Sequence, residues 1–267
     1  MSDISLMSYL QHGFQHLPII DEVQSPRNTP TDLYGARDIN NVGIWTDFNL
    51  PLIQQQFSAV LAAARIPAEP SNASSPPRPI NSATAVRSRV HSYLTSRITR
   101  AFRCGFAYLR SSAEEDMVGR GRTVLDFDVG TLAQTPTGFD FAPDIALFDP
   151  NLPVDTRPNR VPGVVKASFK WNLSQRDSPV PSTQDEFKRV LSQVNFYMKQ
   201  NRTRYGFILT DAELVAIRRL DRDGNLEVSE SIPWTAAGTA SQPRLTVLLG
   251  LWYLGMLASD DRGWCLD

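Results

Sequence analysis

A chain of 267 residues, 42% hydrophobic and 21% charged, holds enough apolar material for one well-buried domain with extensions and is too short for two complete ones. Its formal net charge of -1 provides no global positive field toward polyanions, which argues against a dedicated nucleic-acid-binding role. Two cysteines, Cys104 and Cys265, make neither a disulfide framework nor a zinc cluster, so a reduced intracellular protein, cytoplasmic or nuclear, is expected.

Residues 1–40 read as an N-terminal arm with a short helix near residues 5–11, packed on a partner subunit of a homodimer or loosely on its own domain. The start has no basic n-region and only a short apolar run, so no secretory signal is expected. His12, His16 and His91 lie far from the strand core and read as ordinary surface or partly buried residues, the first two in that N-terminal helix. Residues 41–267 read as one domain. Leu50, Ile53, Phe57, Leu61 and Ala64 recur at helical spacing, and the Pro/Ser-rich run 66–82 predicts a surface loop. Residues 84–110 predict a long helix with Val86, Val90, Leu94, Ile98, Ala101, Gly105 and Leu109 inward and its arginines on a solvated face.

Residues 123–130 alternate as a strand with Asp126 and Asp128 on one face. Residues 143–149 and 162–171 predict two neighbouring strands. In the second, Val164, Lys166, Ser168 and Lys170 would share a polar face, and Val165, Ala167, Phe169 and Trp171 a buried one. Two lysines on such a face need an acid, an anion or water, and Asp144 is the obvious acid. Downstream, Phe187, Val190, Leu191, Val194 and Met198 mark a helix on which Gln193 and Tyr197, one turn apart, reach the same place. Residues 205–210 and 214–220 predict a hairpin, Asp223-Gly224 a further turn before a strand at Leu226, and 245–258 a buried helix opened by Pro243, too short to span a bilayer. Arg202 and Arg204, flanking a turn, could grip an anion, though such arginines usually face solvent. The expected class is therefore α/β, an α+β arrangement of a mixed sheet with flanking helices.

The pair Pro143-Asp144 followed by Lys166 resembles the PD-(D/E)XK superfamily, whose restriction-endonuclease-like core sets an Asp on one strand and an acid, any residue, then Lys on the next. Gln193 and Tyr197 match the Gln, three residues, Tyr motif of its helicase-associated exonuclease branch, in the helix directly after the Lys strand. Over residues 45–257, KASFKW, YMKQNRTRYGFILTD and LTVLLGLWYLGML are similar to an uncharacterised fungal branch of the same superfamily. The resemblance implies a divalent metal held by two carboxylates, but the position of the second acid is Val164, and a hydrocarbon cannot ligate Mg²⁺.

Three readings stay open. In the first, a Mg²⁺-dependent DNA or RNA nuclease has a migrated acid: Glu186, seven residues before Gln193 on nearly the same helix face, or Asp126 or Asp128, would join Asp144. In the second, which is preferred, the metal site has decayed and the cleft binds and converts a small organic ligand without cofactor, as a cyclase or isomerase would. Asp144, Lys166, Gln193 and Tyr197 would then act on the substrate, with Ser168, Lys170, Glu186 and Trp171 lining its site. In the third, a pseudonuclease binds nucleic acid or acts as a scaffold without catalysis. No phosphate loop, nucleophile elbow, zinc motif or dinucleotide fingerprint is present.

Overall fold

The computed structural model describes residues 3–20, 28–29, 31–68, 77–111, 121–135 and 141–266. Among these, β1 (Asp3–Ser5) leads into α1 (Leu6–Leu10), then β2 (Asn41–Ile44), α2 (Leu50–Ala63), β3 (Arg65–Pro67) and α3 (Ala83–Ser111). The chain continues through β4 (Asp126–Val129), β5 (Ile145–Phe148), β6 (Gly163–Val165) and α4 (Pro181–Gln200). It ends with β7 (Tyr205–Leu209), β8 (Glu213–Arg219), β9 (Asn225–Val228), β10 (Ile232–Pro233) and α5 (Val247–Ser259). The expected α+β class, a mixed sheet with flanking helices, is what forms.

Strands that are apolar on both faces need cover on both sides. In β7, Phe207 and Leu209 point to one face and Ile208 to the other, and none is exposed; in β8, Leu214 and Ala216 oppose Val215 and Ile217 in the same way. The first face is covered by α1, α2, α3 and α5, and the second by α4. The eight-stranded sheet runs β2-β9-β8-β7-β6-β5-β4, with β10 added against β8, while β1 and β3 pair separately. Among the described strands of this sheet, β2 with β9 and β6 with β7 run parallel and the other pairs antiparallel. The parallel pairing of β6 with β7 is possible because α4 carries the chain from the end of β6 back to the start of β7.

Several elements differ from the sequence reading. The second predicted strand of the site stops at Val165; Lys170 and Trp171 donate their N–H groups to the Ala167 carbonyl, so residues 167–171 turn instead of extending. The shared face of Lys166, Ser168 and Lys170 is lost, and Trp171 swings to the α4 side, stacked on Phe187 at 5.6 Å. Helix α5 is opened by Thr246, whose hydroxyl accepts the Leu249 N–H, and not by Pro243. His12 and His16 lie beyond α1. The 66–82 run begins in β3, and its residues 69–76, like residues 137–140 before the first site strand, lie outside the described residues. No helix among the described residues is long and apolar enough to cross a membrane.

Candidate functional site

Asp144 is fixed by a close approach at the head of β5. Gly130, just after β4, donates its N–H to the Asp144 carbonyl at 3.2 Å, and a Cβ there would stand 1.8 Å from the Pro143 carbonyl oxygen. The Asp144 side chain, 17% exposed, thus reaches β6: Oδ2 accepts the Val165 N–H at 2.8 Å, and Oδ1 stands 2.7 Å from Nε of Arg87 on α3. That contact is an ion pair; the Arg87 Nε–H makes no aligned hydrogen bond. Both carboxylate oxygens are therefore engaged by the protein.

Lys166 is the first residue past β6, its backbone N–H still bonded to the Leu209 carbonyl at 3.0 Å. Its amine has no hydrogen-bond or ion-pair partner among the described residues. Burial lowers the Lys166 pKa to about 8; Asp144 opposes the shift, and Arg87 and Lys170 reinforce it. Tyr197 is buried on α4, where burial raises its pKa, a Gln193 side-chain hydrogen bond works against that, and the charges of Asp144 and Arg87 are also felt. Gln193, one turn before Tyr197 on α4, is thus close enough to act on its phenol. Tyr34 joins them from the chain before β2: burial first, then Tyr197 and Asp144, push its pKa up to about 12. Both phenols stay protonated near neutral pH and serve as donors. Tyr34 has no motif and lies just before a single short 3-10 turn (Ala36–Asp38), so nothing in the sequence singles it out.

The set holds one carboxylate, Asp144, against Arg87, Lys166 and Lys170, so it carries surplus positive charge. An open groove of about 680 Å³ adjoins Arg87 and Asp144, walled by His91, Val129, Thr131 and Phe141 among others; Lys166, Gln193 and Tyr197 are not in its walls.

Other expected site residues are used structurally. Ser168 is clamped by buried Asp211, which accepts its N–H at 2.7 Å and its hydroxyl at 2.6 Å. Trp171 is fully buried, its indole N–H on the Phe187 carbonyl, and is core instead of a wall of the site. Glu186 lies two turns, roughly 10 Å, up the helix from Gln193. Its carboxylate is held by Arg189 at 3.3 Å and by the Asn28 backbone and side-chain N–H groups at 3.0 Å. Asp126 accepts the Thr99 hydroxyl at 2.6 Å, and Asp128 accepts the Val129 N–H at 2.7 Å. No three His, Cys, Asp or Glu side chains gather as a metal-holding group among the described residues. No family model, curated protein or solved structure matches the chain.

Proposed function

We propose that the chain carries a restriction-endonuclease-like core turned to binding and converting a small organic acid or carbonyl compound without a metal or organic cofactor. The core reading is supported by placement: Asp144 heads β5, Lys166 directly follows the neighbouring β6, and Gln193 and Tyr197 sit on α4, the next helix. One observation carries the change of chemistry. Both Asp144 oxygens are taken up by Arg87 and the Val165 N–H, with Val164 buried where a second acid is needed, while the Lys166 amine has no partner among the described residues.

An amine with a pKa of about 8 is suited to move a proton near neutral pH. The neutral Lys166 amine takes a proton from the carbon beside a carbonyl, and the resulting ammonium returns it to another carbon of the same molecule. Tyr197 and Tyr34 donate hydrogen bonds to the carbonyl oxygen as it gains negative charge. Lys170 and Arg87 attract a substrate carboxylate.

A thermal-shift screen of organic acids and enones, each with and without Mn²⁺, tests this reading. The expected hit is metal-independent, and its conversion falls roughly 10²–10⁴-fold in Lys166→Met and less in Tyr197→Phe. With the Lys as base, the rate rises with pH through about 8. Mn²⁺-dependent cleavage of DNA or RNA that Asp144→Ala abolishes would overturn it in favour of a nuclease. Salt-sensitive DNA retention without cleavage or turnover would overturn it in favour of a non-catalytic binder.

A further inference from the structure

A second concentration of charge lies at the other end of the β6 and β7 pair. Lys166 follows the C-terminal end of β6, whereas the α4 C-terminus leads into the start of β7, where β8, antiparallel to it, ends. There Lys199, Arg202, Arg219, Arg222 and Leu266 line a concavity of about 310 Å³, and every charged residue in its wall is a cation.

Arg219 forms its floor. It is 2% exposed, and its guanidinium donates to the carbonyls of Thr203, Asp221 and Leu266 at 3.0, 3.5 and 2.7 Å. These bonds use three of its five N–H groups, and the acceptors are all neutral. Among the described residues it has no carboxylate partner, and a buried guanidinium so placed keeps its charge uncompensated and attracts an anion. Burial lowers its pKa from the usual arginine range, with nearby Arg222 and Arg204 adding to the effect and Cys265 and Asp221 opposing it. Asp221, whose charge acts on Arg219, is occupied by Asn225, through its side chain and N–H, and by the Asp223 N–H.

Arg202 adds an independent observation. It is the only non-glycine residue with positive φ, at 52°, among the described residues. It occupies the position just past the α4 cap, where Thr203 N–H bonds to the Met198 carbonyl and Arg202 N–H to that of Lys199. Helices that end in this way favour glycine there, because a Cβ is disfavoured in left-handed backbone. An arginine held against that preference, at the rim of a cationic concavity, marks its side chain as the useful part.

We propose that this concavity is a binding site for a phosphorylated small molecule, its phosphate on Lys199, Arg202 and Arg222 above the Arg219 floor and its organic part against Leu266. A hollow of about 310 Å³ lined by five residues suits a small ligand better than a nucleic-acid backbone, which needs a continuous groove. The site is independent of the organic-acid site around Lys166.

Isothermal titration calorimetry with pyrophosphate, inorganic phosphate and adenosine monophosphate tests it on the full chain. Pyrophosphate and the nucleotide are expected to bind, more weakly as KCl is raised, and the Lys199→Met/Arg222→Met double variant to lose roughly tenfold or more in affinity. Arg202→Gly separates function from structure: it should weaken binding while raising Tm, since glycine relieves the left-handed backbone. Lys166→Met should bind pyrophosphate as the unaltered chain does. Absence of heat with all three probes, unchanged affinity in both the double variant and Arg202→Gly, or binding of a single-stranded oligonucleotide without binding of the nucleotide would each overturn the proposal.

Discussion

Lys166 is held at a cost that its neighbours do not offset. Its pKa is about 8 in the fold against an ordinary 10.5, with burial the largest cause. Below about pH 8 both folded and unfolded chains carry the charge, and the fold bears the full penalty of burying it. Between about 8 and 10.5 the unfolded chain binds more protons, so this group makes stability rise with pH across that window. Lys166→Met should therefore stabilise the protein near neutral pH, by roughly 1–3 kcal/mol, and the difference from the unaltered chain should shrink as pH rises through the window. Urea denaturation at several pH values measures both, and destabilisation by the same change would mean the amine has a structural partner. Asp144 is the opposite case. Asp144→Ala removes the acceptor of the buried Val165 N–H and should cost about 1–3 kcal/mol in the same assay. The residue types and spacing of Asp144, Lys166, Gln193 and Tyr197 were legible because each sits on or beside a regular element. Tyr34 was not, because only tertiary folding brings an irregular segment against α4, its ring 5.6 Å from Phe196.

At the scale of elements, helices were read closely and strands too generously. The 29 residues of α3 match the expected helix to within a residue at each end, since its apolar stripe persists for its full length. Strand β6 shows the contrary failure. Residues 165–171 alternate apolar and polar as a strand would, yet a strand lasts only as long as its neighbour offers hydrogen bonds. β7 ends at Leu209, and the chain then turns through Thr210 and Asp211. The Ser168 N–H consequently meets the Asp211 carboxylate instead of a backbone carbonyl. This clamp sets the turn that carries Lys170 and Trp171 away from the strand direction. Asp211→Ala should cost about 1–3 kcal/mol, because the carboxylate is 3% exposed and satisfies two donors of Ser168. Thr246→Ala at the head of α5 should cost about 1 kcal/mol through loss of its cap. Chemical denaturation orders the two; a larger loss at Thr246 would mean that the 167–171 turn stands without Asp211.

Across the whole molecule, strand order was the least legible feature, because nothing local specifies it: β2 is short, half-exposed and paired with β9 from the far end of the chain. The N-terminal segment is the same problem at larger scale. Read from sequence it is an arm, since its apolar residues are few and interrupted by polar ones. In the fold Leu6 and Leu10 are fully buried in the main cluster, and Phe14 stacks on Trp234 at 4.5 Å. Its polar groups are equally committed: Gln11 Oε1 accepts the Arg244 N–H at 2.6 Å, the Leu10 carbonyl accepts the Thr246 hydroxyl, and the Gln15 carbonyl accepts the Trp234 indole N–H at 3.1 Å. Removing residues 1–20 would therefore strip apolar cover from α2, α3 and α5 and orphan donors at the head of α5. The truncated chain should fail to show a cooperative thermal transition, and Leu10→Ala alone should cost about 2–5 kcal/mol. A truncated chain that melts at the temperature of the full one would return this segment to the role of a detachable arm. A homodimer, in turn, has to form through surface other than Leu6, Leu10 and Phe14, because these side chains are already spent within the chain's own core.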